Sequence, residues 1–154
     1  MRFATSLALA AVLTAALLSS FEVGSASAAP SQTLTVEGNS IAVSSGLFQG
    51  EVTFNGRRII NSDTGVVTAH GTYPASGKTF VLVETDQGPS CAMFRIIAIA
   101  GRQASVSPVF GNCGGADASV VNGALRVKLA VVPAHGTFPT SPVETHSFDG
   151  STFR

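Results

Sequence analysis

The feature that most constrains this chain is a series of short β-branched and aromatic runs separated by tight-turn residues. Asn55-Gly56 and Asn122-Gly123 each stand between two apolar runs. Asn-Gly in that position is the strongest short signal for a β-hairpin, because both central residues of a type I′ turn need positive φ. After the N-terminal segment, no apolar pattern with helical spacing is long enough to predict a helix. The sequence therefore predicts a succession of antiparallel hairpins.

Two further patterns indicate how the predicted strands are buried. Residues 94–100 (FRIIAIA) are apolar almost throughout, which is typical of a central strand covered on both faces. Leu125, Val127 and Leu129 alternate with basic residues, as expected for a strand with one solvated face. With about nine or ten such strands, the sequence predicts an all-β fold, an antiparallel β-sandwich or small barrel. The last stretch of the chain, from residue 139, is predicted to form an edge strand or to be loosely ordered.

The first thirty residues have the layout of a secretory signal peptide. Arg2 is followed by an uncharged apolar stretch over residues 7–18, and Ala26-Ser27-Ala28 offers an A-x-A cleavage site. The apolar stretch is shorter than the ~20 residues that a spanning helix needs. We expect residues 1–29 to be removed, which leaves a single all-β domain over residues 30–154 without an integral membrane segment. The expected location is periplasmic or secreted.

The composition narrows the class of partner. Nine Lys and Arg balance nine Asp and Glu, and 12% of the residues are charged against 45% that are hydrophobic. A neutral chain has no electrostatic reason to bind nucleic acid or an anionic membrane surface. The apolar fraction also excludes a disordered polyelectrolyte.

Cys91 and Cys113 are the two cysteines of the chain. In an exported domain they are predicted to form one disulfide, which would stabilise the fold by roughly 3 kcal/mol. The alternative roles have less support. No C-x-x-C motif or basic cluster points to a reactive thiol, and two thiols lack the paired spacing of a zinc site.

One segment occurs twice. Residues 66–76 (VVTAHGTYPAS) and 131–141 (VVPAHGTFPTS) are identical at eight of eleven positions. Two interpretations stay open: two related halves with pseudo-twofold symmetry, or a recurrent turn at the end of a strand. We take both copies as turns on a rigid β scaffold, which commonly carry recognition. The candidate binding residues are His70, Gly71, Thr72, Tyr73, His135, Gly136, Thr137 and Phe138.

The sequence gives little support to two alternatives, a metal site and an aspartic protease site. His70 and His135 would need further ligands to hold a metal, and His146 with Glu144 or Asp149 could supply them. No H-x-H or H-E-x-x-H spacing points to such a site. Asp63-Thr64-Gly65 matches the tripeptide of aspartic proteases, which need two carboxylates sharing a proton. Its flanking residues are instead typical of an ordinary turn. We therefore expect no catalytic residues and no metal site.

The middle of the chain resembles a diffuse group of small exported β proteins of unknown function from Gram-negative bacteria. The resemblance covers roughly residues 78–130. It rests on Cys91-x-x-Phe94, a Cys-x-x-aromatic pattern, and on Ser107-x-x-Phe110-Gly-x-Cys113, followed by a last hairpin at Asn122-Gly123. It implies a disulfide-linked all-β domain and carries no activity. Ala92 departs from the group, in which many members have Pro after the first Cys.

These observations favour an exported, non-catalytic binding or structural β-domain without a cofactor. Its partner would be an unknown protein or small ligand in the cell envelope. Two other functions stay open. One is a periplasmic inhibitor of a cell-wall hydrolase or lysozyme, which size, export and disulfide would suit, although a basic partner calls for acidic loops. The other is a small hydrolase that uses Asp63 in a dimer or a His-bound metal.

Overall fold

The computed structural model describes residues 32–63, 65–86, 91–112, 115–130 and 143–154. These residues form twelve β-strands and no helix. The strands are β1 (Gln32–Val36), β2 (Asn39–Ser44), β3 (Gly50–Phe54), β4 (Arg57–Ser62), β5 (Val67–Ala75), β6 (Lys78–Asp86), β7 (Ala92–Ala100), β8 (Gln103–Val106), β9 (Phe110–Asn112), β10 (Ala116–Val121), β11 (Ala124–Ala130) and β12 (Val143–Phe148). The all-β prediction is confirmed.

The strands form three antiparallel sheets. The first sheet has the order β1-β2-β3-β4, the central sheet β5-β6-β7-β8 and the third sheet β10-β11-β12. The short strand β9 pairs with β7 beside β8. Among the described residues none of the sheets closes into a barrel, which is consistent with a β-sandwich-like fold, one of the two predicted architectures.

The central sheet is covered on both faces because its side chains alternate between two hydrophobic cores. Val81, Val83, Ile97 and Ile99 pack in a core with the first sheet. Their neighbours Phe80, Leu82, Ile96 and Ala98 pack in a second core with Leu125, Val127 and Leu129 of the third sheet. The prediction that residues 94–100 form a central strand buried on both faces is thereby confirmed, as is the half-solvated alternation of β11.

The predicted hairpin turns have the required backbone geometry. Asn55 and Gly56 join β3 to β4 with φ of 50° and 79°, and Asn122 and Gly123 join β10 to β11 with φ of 51° and 75°. Glu37 and Gly38 make the equivalent turn between β1 and β2, with φ of 51° at Glu37. Positive φ is costly for a residue with a Cβ. The Glu37 side chain ties this turn to the central sheet, since its Oε1 accepts a hydrogen bond of 2.8 Å from Thr79 Oγ1.

The prediction that residues 70–74 form a turn is wrong. They lie within strand β5, where Gly71, Thr72 and Tyr73 pair with Leu82, Val81 and Phe80 of β6. The chain turns only after Ala75, at Ser76 and Gly77. A proline, which has no N–H to donate, is tolerated at position 74 because β5 is an edge strand of the central sheet.

The structure describes the C-terminal end of the chain but not its N-terminal end. The predicted signal peptide, residues 1–29, lies outside the described residues. In the predicted stretch from residue 139, residues 139–142 lie outside the described residues, and Val143–Phe148 form β12, an edge strand paired with β11, which is one of the two predicted alternatives. In the described part of the chain, no helix is long and apolar enough to cross a lipid bilayer.

Candidate functional site

His70 occupies a β-bulge in the edge strand of the central sheet. Ala69 pairs with Val83 and Gly71 pairs with Leu82, so His70 is an extra residue without a partner of its own on β6. The bulge changes the face of the sheet on which the following side chains of β5 lie. Val67 and Ala69 pack in the first core, whereas the later residues Tyr73 and Ala75 pack against the second. Bulges commonly redirect a side chain in this way next to functional sites.

The imidazole of His70 is held by two residues of the neighbouring strands. Its Nε2 contacts Glu84 Oε2, and its ring centroid lies 6.0 Å from that of Phe94. Glu84 on β6 and Phe94 on β7 are direct cross-strand partners. The side chain of His70 remains 42% exposed. The bulge therefore presents an oriented, accessible imidazole at the edge of the second core.

From Phe94 a row of rings leads to the third sheet and the C-terminal residues. Phe94 lies 6.1 Å from Phe110, centroid to centroid, and Phe110 lies 4.9 Å from His146 and 5.3 Å from Phe153. His146 and Phe153 are stacked, with planes 10° apart. We call these five residues, His70, Phe94, Phe110, His146 and Phe153, the aromatic row. Such ring contacts contribute about 0.5–1.5 kcal/mol each beyond burial.

At the far end of the aromatic row His146 contacts a glutamate, as His70 does at the near end. His146 Nε2 lies 2.8 Å from Glu144 Oε1, and the two side chains share one face of β12 because they are two residues apart. The side chain of His146 is 17% exposed. Each end of the row thus carries an imidazole oriented by a carboxylate, and the two ends belong to different sheets.

The C-terminal turn holds Phe153 in place. The carboxylate of Asp149 accepts hydrogen bonds from the backbone N–H groups of Thr152 and Ser151 and from Ser151 Oγ, and these lower the pKa of Asp149 from 3.8 to about 2. Lys78 Nζ donates to the Asp149 carbonyl at 2.6 Å, and Ser105 Oγ donates to the Gly150 carbonyl at 2.6 Å. These two bonds fasten the turn to the central sheet.

The other residues predicted with His70 do not share one surface. Tyr73 lies over Gly71, since a Cβ built on Gly71 would be 3.5 Å from the Tyr73 hydroxyl. Both belong to the side of β5 that faces the second core. Thr72 pairs with Val81, so it belongs to the opposite face, where it is exposed. Because side chains alternate along a strand, Thr72 belongs to the face opposite the aromatic row, and a binding role for residues 70–73 stays a prediction.

The second copy of the repeat, with His135, Gly136, Thr137 and Phe138, lies outside the described residues. Its role as a second binding segment stays a prediction. The third histidine, His146, is the one that the described residues bring into the same row of rings as His70. The sequence suggests His146 as a neighbour of His70 only as a possible metal ligand, because the two histidines are linked through Phe94 and Phe110 of the central sheet.

The remaining sequence candidates are separated from the aromatic row or only partly described. Asp63 is exposed in the loop between β4 and β5, and Thr64 lies outside the described residues. Among the described residues, no group of three or more His, Cys, Asp or Glu side chains could hold a metal ion. Cys91 is not a free thiol. Cys113 lies outside the described residues, so its pairing with Cys91 stays a prediction.

Comparison with known proteins adds no relative: no family model, no curated protein and no solved structure matches this chain.

Proposed function

We propose that this chain is an exported, non-catalytic binding domain that recognises a protein or small ligand of the cell envelope through the aromatic row. The observation that carries the proposal is the pair of partly exposed imidazoles, His70 and His146, at the two ends of the row. Each imidazole is held by a carboxylate, Glu84 or Glu144. Oriented polar groups above a packed apolar base are what a recognition surface requires.

The anchoring of the row supports a binding role because little has to be ordered when a ligand arrives. Phe94 and Phe110 are buried, and they come from strands that pair directly with each other. Phe153 is fixed through the Asp149 turn. Side chains that are already restrained lose less conformational entropy on binding, which leaves more of the contact energy as affinity.

The export part of the proposal rests on the N-terminal thirty residues and on the cysteines. Expression of the full chain in a Gram-negative host tests it directly. We expect the protein in the periplasmic fraction to begin near Pro30 and to carry no free thiol. A protein that stays in the cytoplasm with its first thirty residues attached would contradict export.

The binding surface can be mapped by NMR on the purified protein with isotope-labelled backbone amides. The probes are soluble muropeptides, a lysozyme and a general fragment library. Muropeptides and lysozyme represent the cell-wall ligands and the hydrolase partner that the inhibitor hypothesis requires. The proposal predicts shifts centred on His70, Phe94, Phe110, His146 and Phe153. Shifts centred elsewhere, or none with any probe, would contradict it.

A further inference from the structure

A cavity lies on the opposite side of the central sheet from the aromatic row. It has a volume of about 450 Å³ and opens between the β3–β4 hairpin of the first sheet and the β7–β8 turn of the central sheet. Its apolar wall consists of Phe54, Ile59 and Ala104, and Gln103 also lines it. Ile59 and Ala104 pack against the first core, so the wall continues the interior of the protein.

Two arginines from different sheets line this cavity. Arg57 begins β4, and Arg102 lies in the turn between β7 and β8. Within the described residues, neither guanidinium has an ion pair or a side-chain hydrogen bond, and no carboxylate lines the cavity. Two unpaired positive charges that face a common, partly apolar space make it attractive to an anion.

The next residue, Arg58, differs from Arg57 because it lies outside the cavity and forms an ion pair. Its Nε lies 2.7 Å from Glu51 Oε2 on β3, and it is not among the residues that line the cavity. Arg57 pairs with Phe54 across the hairpin, on the side that faces the central sheet, whereas Arg58 pairs with Thr53. Arg57 and Arg58 are thus neighbours on one strand, but Arg58 forms an ion pair outside the cavity, whereas Arg57 lines the cavity without one.

The two elements that carry the arginines are joined by a buried asparagine. Asn39 is 3% exposed, and its Nδ2 donates to the Gly101 carbonyl of the β7–β8 turn at 2.8 Å. Its Oδ1 accepts a hydrogen bond of 2.9 Å from Asn55 Nδ2 of the β3–β4 turn. Asn55 Oδ1 in turn accepts from the Ser40 N–H at 2.9 Å. The backbones that position Arg57 and Arg102 are therefore fixed relative to each other without a ligand.

We propose that this cavity binds an oxyanion carried on a small apolar body, with Arg57 and Arg102 on the anionic oxygens and Phe54, Ile59 and Ala104 against the apolar body. Guanidinium groups suit this role because their donors match the geometry of carboxylate and phosphate oxygens. The site is independent of the aromatic row, since it involves the first core and different strands. It gives the protein a binding site for an organic anion in addition to the surface proposed for its partner.

Calorimetric titration of the purified protein at low ionic strength tests this proposal. The probes are benzoate for a carboxylate, phenyl phosphate for a phosphate ester, inorganic phosphate for the anion alone, and benzamide as the uncharged counterpart of benzoate. We expect saturable binding of benzoate or phenyl phosphate that weakens with added salt, weaker binding of inorganic phosphate and none of benzamide. The stronger of the two aromatic anions identifies the oxyanion.

Three variants locate the site. Arg57→Gln and Arg102→Gln should each weaken binding about tenfold or more, the loss expected for one charge-assisted contact. Arg58→Gln, a matched change on the neighbouring residue, should leave the affinity unchanged. All three positions are exposed, so thermal melting should show the same fold in each variant. No saturable binding of either aromatic anion would overturn the proposal, as would equal loss in the Arg58 variant.

Discussion

The ring of His146 on β12 stacks on the ring of Phe153, with centroids 5.3 Å apart and planes 10° from parallel. Phe153 follows a tight turn after β12, and its backbone bridges back to Phe148 at the end of that strand. The last residues of the chain thus fold back to support a histidine of the same strand. This places His146, Phe110 and Phe153 in mutual contact at the far end of the aromatic row.

Replacement of Phe153 by alanine should destabilise the protein and release His146. The side chain packs against the second core, so we expect a loss of about 1–3 kcal/mol in the free energy of unfolding. Urea denaturation measures this loss, and the NMR signals of the His146 ring report the lost stack. Phe48→Ala is the matched control, because Phe48 is 81% exposed and its removal should change stability by less than about 0.5 kcal/mol. Equal effects of the two changes would contradict the role given to Phe153.

Asp149→Asn should alter how stability depends on pH. The folded-state pKa of Asp149 is lowered from 3.8 to about 2 by the hydrogen bonds from Thr152 and Ser151. The unfolded state therefore binds more protons between these values, and the contribution of Asp149 is complete above about pH 4 and lost as the pH falls toward 2. We expect the wild type to exceed the variant in stability at neutral pH and the difference to shrink through that interval. Curves that stay parallel in acid denaturation would contradict this assignment.

Gly65→Ala should be destabilising for steric reasons. Gly46 N donates to the Gly65 carbonyl at 2.9 Å, and a Cβ on Gly65 would overlap the Gly46 carbonyl oxygen. Backbone atoms cannot yield as a flexible side chain can, so we expect a loss of about 1–3 kcal/mol in the free energy of unfolding. Gly115→Ala is the control, since a Cβ there meets no atom within 4 Å. If chemical denaturation gives the same midpoint for both variants, the two loops are not in close contact.

Cys91→Ser should reveal the proposed disulfide with Cys113. Closing that loop restricts the unfolded chain, so the variant should be less stable than the oxidised wild type by roughly 3 kcal/mol. Reduction of the wild type should produce a similar loss, which melting curves with and without reductant can measure. Oxidised and reduced proteins that melt at the same temperature would exclude a stabilising disulfide.

The parts of the fold that the sequence predicts are those set by neighbouring residues. Asn55-Gly56 and Asn122-Gly123 determine their own turns because positive φ is a local requirement. The long apolar run of β7 identifies a strand buried on both faces without knowledge of its neighbours. The short strand β9 and the polar strand β12 lack such a pattern, since pairing with β7 and β11 defines them.

The candidate sites depend on contacts between distant residues, which is why the sequence predicts them only in part. The bulge at His70 is a register shift between β5 and β6 from Ala69 to Gly71, and its one local signal, a glycine inside a strand, is equally typical of a turn. The aromatic row requires Phe94, Phe110 and Phe153 to meet from separate strands. Likewise, Arg57 and Arg102 line one cavity because Asn39 joins the β3–β4 turn to the β7–β8 turn.

The most direct test of recognition by the aromatic row is a titration that compares a variant of that row with a variant on the opposite face of β5. The NMR probe that binds most tightly is titrated into the wild type, the double variant His70→Ala/His146→Ala, and Thr72→Ala, which changes the opposite face of β5. Recognition by the aromatic row predicts a loss of affinity of about tenfold or more in the double variant and none in Thr72→Ala. A double variant that binds like the wild type, or an equal loss in Thr72→Ala, would contradict it.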